Sequence, residues 1–165
     1  MHNTHFSQFI PPAQINKSAG TWTPTLASNA LYERRTAADA TFNLFIPIRI
    51  PSNSVALQGA KIASIEVIYN ITTAACDDFA TVELEKMTSS AAGAVTGAAV
   101  TVSVDTSHDT AAERKATGTH RMTVTITTPE WVDNDCWYVL YLVVDAAATT
   151  VFDLYGAIVN FTLRA

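Results

Sequence analysis

Residues 136–145 read CWYVLYLVVD, residues 146–150 AAATT and residues 151–163 VFDLYGAIVNFTL. Both long runs are dense in Val, Ile, Leu, Tyr and Phe, side chains that pack well on a pleated surface. In the first run Tyr138, Leu140, Leu142 and Val144 form one row, and Trp137, Val139, Tyr141 and Val143 form the other. A strand alternates its side chains between two faces, and here neither face is polar. Such a strand belongs in the middle of a sheet, with the core on one side and a second layer or a neighbouring subunit on the other. The short connection predicts that the two runs form a hairpin. That surplus of apolar surface indicates strands and assembly, and names no reaction.

Working outward, ATFNLFIPIRIP places Phe42, Leu44, Ile46, Ile48 and Ile50 on one face at period two. Pro47 falls on the other face without an N–H, which predicts an edge or a bulge. In KIASIEVIYNIT the row is Ile65, Val67, Tyr69 and Ile71. FATVELEKM returns after TAACDD with Ala80, Val82 and Leu84, a second expected hairpin. The stretch 89–105 begins with glycines and ends in alternating Val100, Val102 and Val104. HRMTVTITTP sets Met122, Val124 and Ile126 against Arg121, Thr123, Thr125 and Thr127.

Between them, TSHDTAAERKATG predicts one helix of about two turns: Ser107 or Asp109 as cap, a capping box from Thr110 to Glu113, and Gly118 as stop. NALYERRTAADA reads as irregular or as a short strand around Leu31, PSNSVALQGA over 51–60 as a loop, and Pro24 as an edge marker. Residues 1–20 read as an extended arm. Pro11-Pro12 break any central strand, while Phe6, Phe9 and Ile10 are anchors for docking on this chain or on a neighbour. About eight strands without βαβ rhythm predict an all-β antiparallel sandwich over 21–165. Long crossings at 51–60 and 105–118 favour jelly-roll order.

At 165 residues the chain fits one domain with a core of its own. Charged residues make up 15%, against a typical ~25%. Thr, Ser and Ala stand in for them, which suits strands and burial between subunits. A net charge of −5 with scattered Lys and Arg excludes the basic stripe that nucleic acid requires. No run reaches the ~18 apolar residues of a membrane helix. MHNTHFSQFIPPAQ has neither the basic start nor the apolar core of a signal peptide, so synthesis in the cytoplasm without classical secretion is expected. Cys76 and Cys136 are too few for a disulfide scaffold and read as buried reduced thiols.

The search for chemistry returns little. Nucleophile elbow, phosphate loop, dinucleotide fingerprint and CxxC pair are all absent. No catalytic residue, metal ligand or cofactor is assigned, and the chain reads as a non-enzyme. His108-Asp109, with His120 beyond Gly118, resembles a metal or triad fragment, but a solvated cap with a surface histidine is the favoured reading. His2 and His5 have HxxH spacing on an arm. Asn70-Ile71-Thr72 and Asn160-Phe161-Thr162 match a glycosylation acceptor inside apolar strands and are taken as chance. One loop remains, Trp131, Asp133 and Asp135 within PEWVDND. Carboxylates beside an indole suit a sugar or Ca²⁺, although the Gly and distal Glu of a calcium loop are missing. A tight turn closed by the Trp is the ordinary alternative.

The arm, the alternating strands from Thr41 onward and the closing VFDLYGAIVNFTL resemble the small jelly-roll subunits that build or decorate tailed-phage and other viral particles. The resemblance implies a non-enzymatic virion subunit (capsid, decoration or tail), often trimeric. Its partners would be other copies of itself and other particle proteins, and it would leave the cell by lysis. The expected assembly surface comprises Phe6, Phe9, Ile10, Tyr138, Leu140 and Leu142. A carbohydrate-binding module using the 129–135 loop, and a bacterial surface or filament subunit, are the alternatives.

Overall fold

The computed structural model describes residues 3–52 and 59–164. The strands run β1 (Asn3–Ile10), β2 (Asn16–Lys17), β3 (Trp22–Ala27), β4 (Ala30–Arg35), β5 (Ala40–Ile48), β6 (Ala60–Thr72), β7 (Asp78–Ser89), β8 (Val95–Val100), β9 (Val102–Val104), β10 (Gly118–Ile126), β11 (Cys136–Ala146) and β12 (Val151–Arg164), with one short helix, α1 (Ala111–Arg114). The larger sheet has the order β3-β4-β12-β6-β10-β9, with β1 beside β12; the smaller is β2-β5-β11-β7-β8. Every pairing is antiparallel. The two sheets face each other as a jelly-roll sandwich, the expected all-β class.

The core is the sum of the inner rows. Phe42, Leu44 and Ile46 of β5 and Leu140, Leu142 and Val144 of β11 are fully buried, as are Ile65, Val67 and Tyr69 of β6, Met122 and Val124 of β10, and Phe152 and Leu154 of β12. Phe42 meets Phe152 edge-on at 5.2 Å, and Trp22 meets Phe42 edge-on at 5.4 Å. This is the geometry aromatic quadrupoles favour.

Neither expected hairpin forms. β6 and β7 lie in opposite sheets, and so do β11 and β12. Each pair is an arch across the sandwich. β11 instead pairs with β5 and β7, and β12 pairs with β6, β4 and β1. The physical reason is that strands with apolar inner rows cover one another as well across the layers as side by side. The expected helix shrinks to four residues, and its capping box from Thr110 to Glu113 is present. The segment around Leu31 is a regular strand paired to β3. Of the loop expected over 51–60, positions 53–58 lie outside the described residues.

The arm docks on its own chain. β1 runs along β12 from Asn3↔Arg164 to Ile10↔Ala157. A polar ladder ties it down: Ser7 Oγ donates to Asn160 Oδ1 (2.6 Å), Asn160 Nδ2 donates to Glu66 Oε1 (2.8 Å), and Arg121 pairs with Glu66. Gly156 makes the close approach possible. It sits at a register shift of β12 with φ 129°, and a Cβ there would lie 2.5 Å from Ile10 O and 2.9 Å from Phe9 Cζ.

Candidate functional site

The loop read as a ligand site is built as an end closure. Val132 is buried, and its N–H donates to Ala60 O at 2.9 Å. That contact brings Trp131 into a bridge with Lys61, whose Nζ lies 4.6 Å from the indole centroid. The ammonium therefore occupies one face of the ring a sugar would use. Asp133, Asp135 and Cys136 come together with ligand atoms within 4.8 Å of one another, both carboxylates exposed. Thr88 Oγ1 and Asp135 Oδ1 each lie 3.4 Å from Cys136 Sγ. A cavity of about 370 Å³ opens beside the loop between the sheets, floored by Ile62, Val100 and Ile126 and flanked by the Lys86–Glu130 pair (3.1 Å).

The expected assembly residues separate into two groups. Tyr138, Leu140 and Leu142 are buried in the sandwich, and Ile10, at the end of the arm's strand β1, is buried against the same core. None of these four offers a surface to another copy, because the core claims the even-numbered row of β11. Phe6 and Phe9 remain 44% and 53% exposed.

The two rows of β11 are those expected from its alternation, but the expected assembly surface took the even row, Tyr138, Leu140 and Leu142, as the outward one, and the structure buries it. The outer row is Trp137, Val139, Tyr141 and Val143, on the central strand of the smaller sheet. Trp137 is 43% exposed. Register places Met87 beside Trp137, Glu85 and Pro47 either side of Val139, and Glu83 and Phe45 either side of Tyr141. The Tyr141 and Phe45 rings stack at 5.2 Å with 27° between planes. Same-face neighbours along a strand stand about 7 Å apart, so the row forms a continuous aromatic and aliphatic strip edged by two carboxylates. The signal for it was the alternation in β11 itself. What could not be read was that β5 and β7 would flank it and add Phe45, Glu83 and Glu85.

The histidines also depart from expectation. His108 and His120 are both buried, and they meet each other and Asp105, not Asp109. Burial holds His120 below the usual imidazole range, and the neighbouring His108 adds to the effect. Burial also pushes the Cys76 thiol up to about 12. Cys136, in contrast, is held by Thr88 and is half-buried. Among the described residues, no helix is long and apolar enough to cross a membrane.

No protein-family model matches the chain, and no curated protein does. Solved structures do resemble it. TmCBM61, solved with beta-1,4-galactotriose, is 9% identical with a TM-score of 0.40, over 94% of this chain and 86% of that one. The family 11 carbohydrate-binding module of Clostridium thermocellum, solved with a beta-1,3-1,4-mixed-linked tetrasaccharide, is 7% identical with a TM-score of 0.38, over 95% and 87%. The enzymatically active domain of bacteriophage CBA120 tailspike protein 4 is 7% identical with a TM-score of 0.36, over 98% of this chain and 19% of that one.

Proposed function

We propose that this chain is a non-catalytic carbohydrate-binding module whose ligand lies along the outer face of the smaller sheet. The observation that carries the reading is the strip of Trp137, Tyr141 and Phe45 with Glu83 and Glu85 in register beside it. Ring faces cover the C–H side of a pyranose, and carboxylates accept hydrogen bonds from its hydroxyls. A face built on three paired strands is rigid before the ligand arrives, which limits the entropy lost on binding. A glycan array followed by titration calorimetry tests this. Trp137→Ala and Tyr141→Ala are expected to weaken the best ligand about tenfold or more, while Trp131→Ala leaves it unchanged. Failure of the wild-type protein to bind any glycan, or full binding by Trp137→Ala, removes the reading.

A second reading, a self-assembling structural subunit of a virion or of a bacterial surface or filament, is favoured by a different observation. Phe6, Phe9, Leu26 and Leu31 are exposed at 44%, 53%, 74% and 59%, and Leu26 stands directly opposite Leu31 on the β3–β4 hairpin. Apolar side chains that gather at the surface are the usual mark of a protein contact. Light scattering at micromolar concentration decides it: a monomer at every concentration excludes self-assembly.

A further inference from the structure

The crossover from β9 to β10 folds two imidazoles against each other. His108 Nε2 and His120 Nδ1 are 3.2 Å apart. The far nitrogen of each ring already has an oxygen partner: His108 Nδ1 lies 2.8 Å from Asp105 Oδ1, and His120 Nε2 lies 2.9 Å from Ala116 O. Asp105 also accepts the N–H groups of Ser107 (3.0 Å) and Thr123 (2.6 Å), which is how an ionised carboxylate bonds. A neutral imidazole carries one N–H. With those hydrogens given to Asp105 and Ala116, the two facing nitrogens present lone pairs to each other. Two lone pairs 3.2 Å apart repel, and one cation shared by both nitrogens would relieve that repulsion.

Histidines that bind metals are held in this way, with the far N–H donated to a carboxylate or a backbone carbonyl and the near nitrogen left free. Nitrogens ~2.0–2.1 Å from a single ion and this far apart subtend about 100° at it, close to tetrahedral. The rings are also fixed in advance. His120 stacks on Tyr69 at 4.6 Å with 10° between planes. Arg114 Nη1 donates to His108 O at 2.7 Å, which anchors the loop to α1. Asp105, Asp109 and Glu113 outnumber Arg114 and Lys115 by one in this segment, a local balance that leans toward a cation. The Asp105 side chain is 30% exposed and that of His108 11%, so the pair lies just beneath the surface, within reach of water.

We propose that His108 Nε2 and His120 Nδ1 form a two-nitrogen site for one first-row divalent ion of the Zn²⁺ type, with water completing its coordination. The site lies on the larger sheet, away from the aromatic strip, and does not depend on the glycan reading.

Titration calorimetry of the full chain with ZnCl₂ tests the proposal. One ion per chain is expected, with affinity reduced about tenfold or more by His108→Gln and by His120→Gln, and about tenfold by Asp105→Asn. The double variant Asp133→Asn/Asp135→Asn should bind as the wild type does. Equal affinity in the wild type and both histidine variants, or loss of binding only in the double aspartate variant, overturns the site. Imidazole nitrogen NMR of the unmutated protein gives a reading that no folding defect can confound. Zinc should move the His108 Nε2 and His120 Nδ1 resonances, and leaving them in place refutes the proposal.

Discussion

Val143 and Val144 are neighbours on β11 with opposite environments: Val143 is half-buried on the open face, and Val144 is fully buried opposite Phe42. Val→Thr keeps the volume and the β-branch and exchanges one methyl for a hydroxyl. At position 144 that exchange forfeits ~0.8 kcal/mol of methyl burial and places a hydroxyl in an apolar layer, at a further cost of ~1–3 kcal/mol. Val144→Thr should therefore lose about 2–4 kcal/mol, a large share of the ~5–15 kcal/mol that holds a domain. Val143→Thr should stay within about 0.5 kcal/mol, as substitutions facing water do. Urea denaturation followed by fluorescence measures both, with an unchanged m-value confirming that only stability has moved. Equal losses at the two positions would refute the assignment of inner and outer rows. A loss at Val143 that deepens as protein concentration rises would instead place the strip in a subunit contact.

Two further outcomes follow from the arm. Gly156→Ala should cost about 1–3 kcal/mol and free β1, since the added Cβ meets Ile10 O at 2.5 Å from a backbone at φ 129°. Limited proteolysis should then cut before Pro11 in the variant first, and an unchanged cleavage pattern would contradict this. Glu66 supplies the pH dependence: burial raises its carboxyl, but Arg121 and Asn160 outweigh that and hold it below 4.5. The ladder's contribution is complete above that value and is lost as pH falls through the lower folded one. Stability should thus decline less between pH 7 and pH 3 in Glu66→Gln than in the wild type, and parallel curves would show that the ladder contributes nothing.

Much of the fold was legible because strands announce themselves locally. The rows in β5, β6, β10 and β11 follow from period-two alternation, and the Thr110–Glu113 capping box follows from spacing along one segment. Pairing was not legible. AAATT reads as the turn of a hairpin, yet it spans the two layers, because nothing local distinguishes a turn within a sheet from an arch between sheets. The surroundings of the candidate loop were illegible for the same reason. Trp131 carried the right chemistry, but Lys61, seventy positions away in the chain, lies over its ring. His108 and His120 were seen as fragments, and burial with Asp105 makes them a unit.

The residues of β11 by themselves determine that it has two apolar faces and that something must cover each. Which face enters the sandwich depends on the register with β5 and β7, set by contacts about a hundred and about fifty residues away. Only when those strands are in place do the even positions become core and the odd ones, with Phe45, Glu83 and Glu85, become the outer face of the sheet. Alternation is a property of one strand. The identity of the inner face is a property of the sheet, because burial is shared among neighbours and no strand decides it alone.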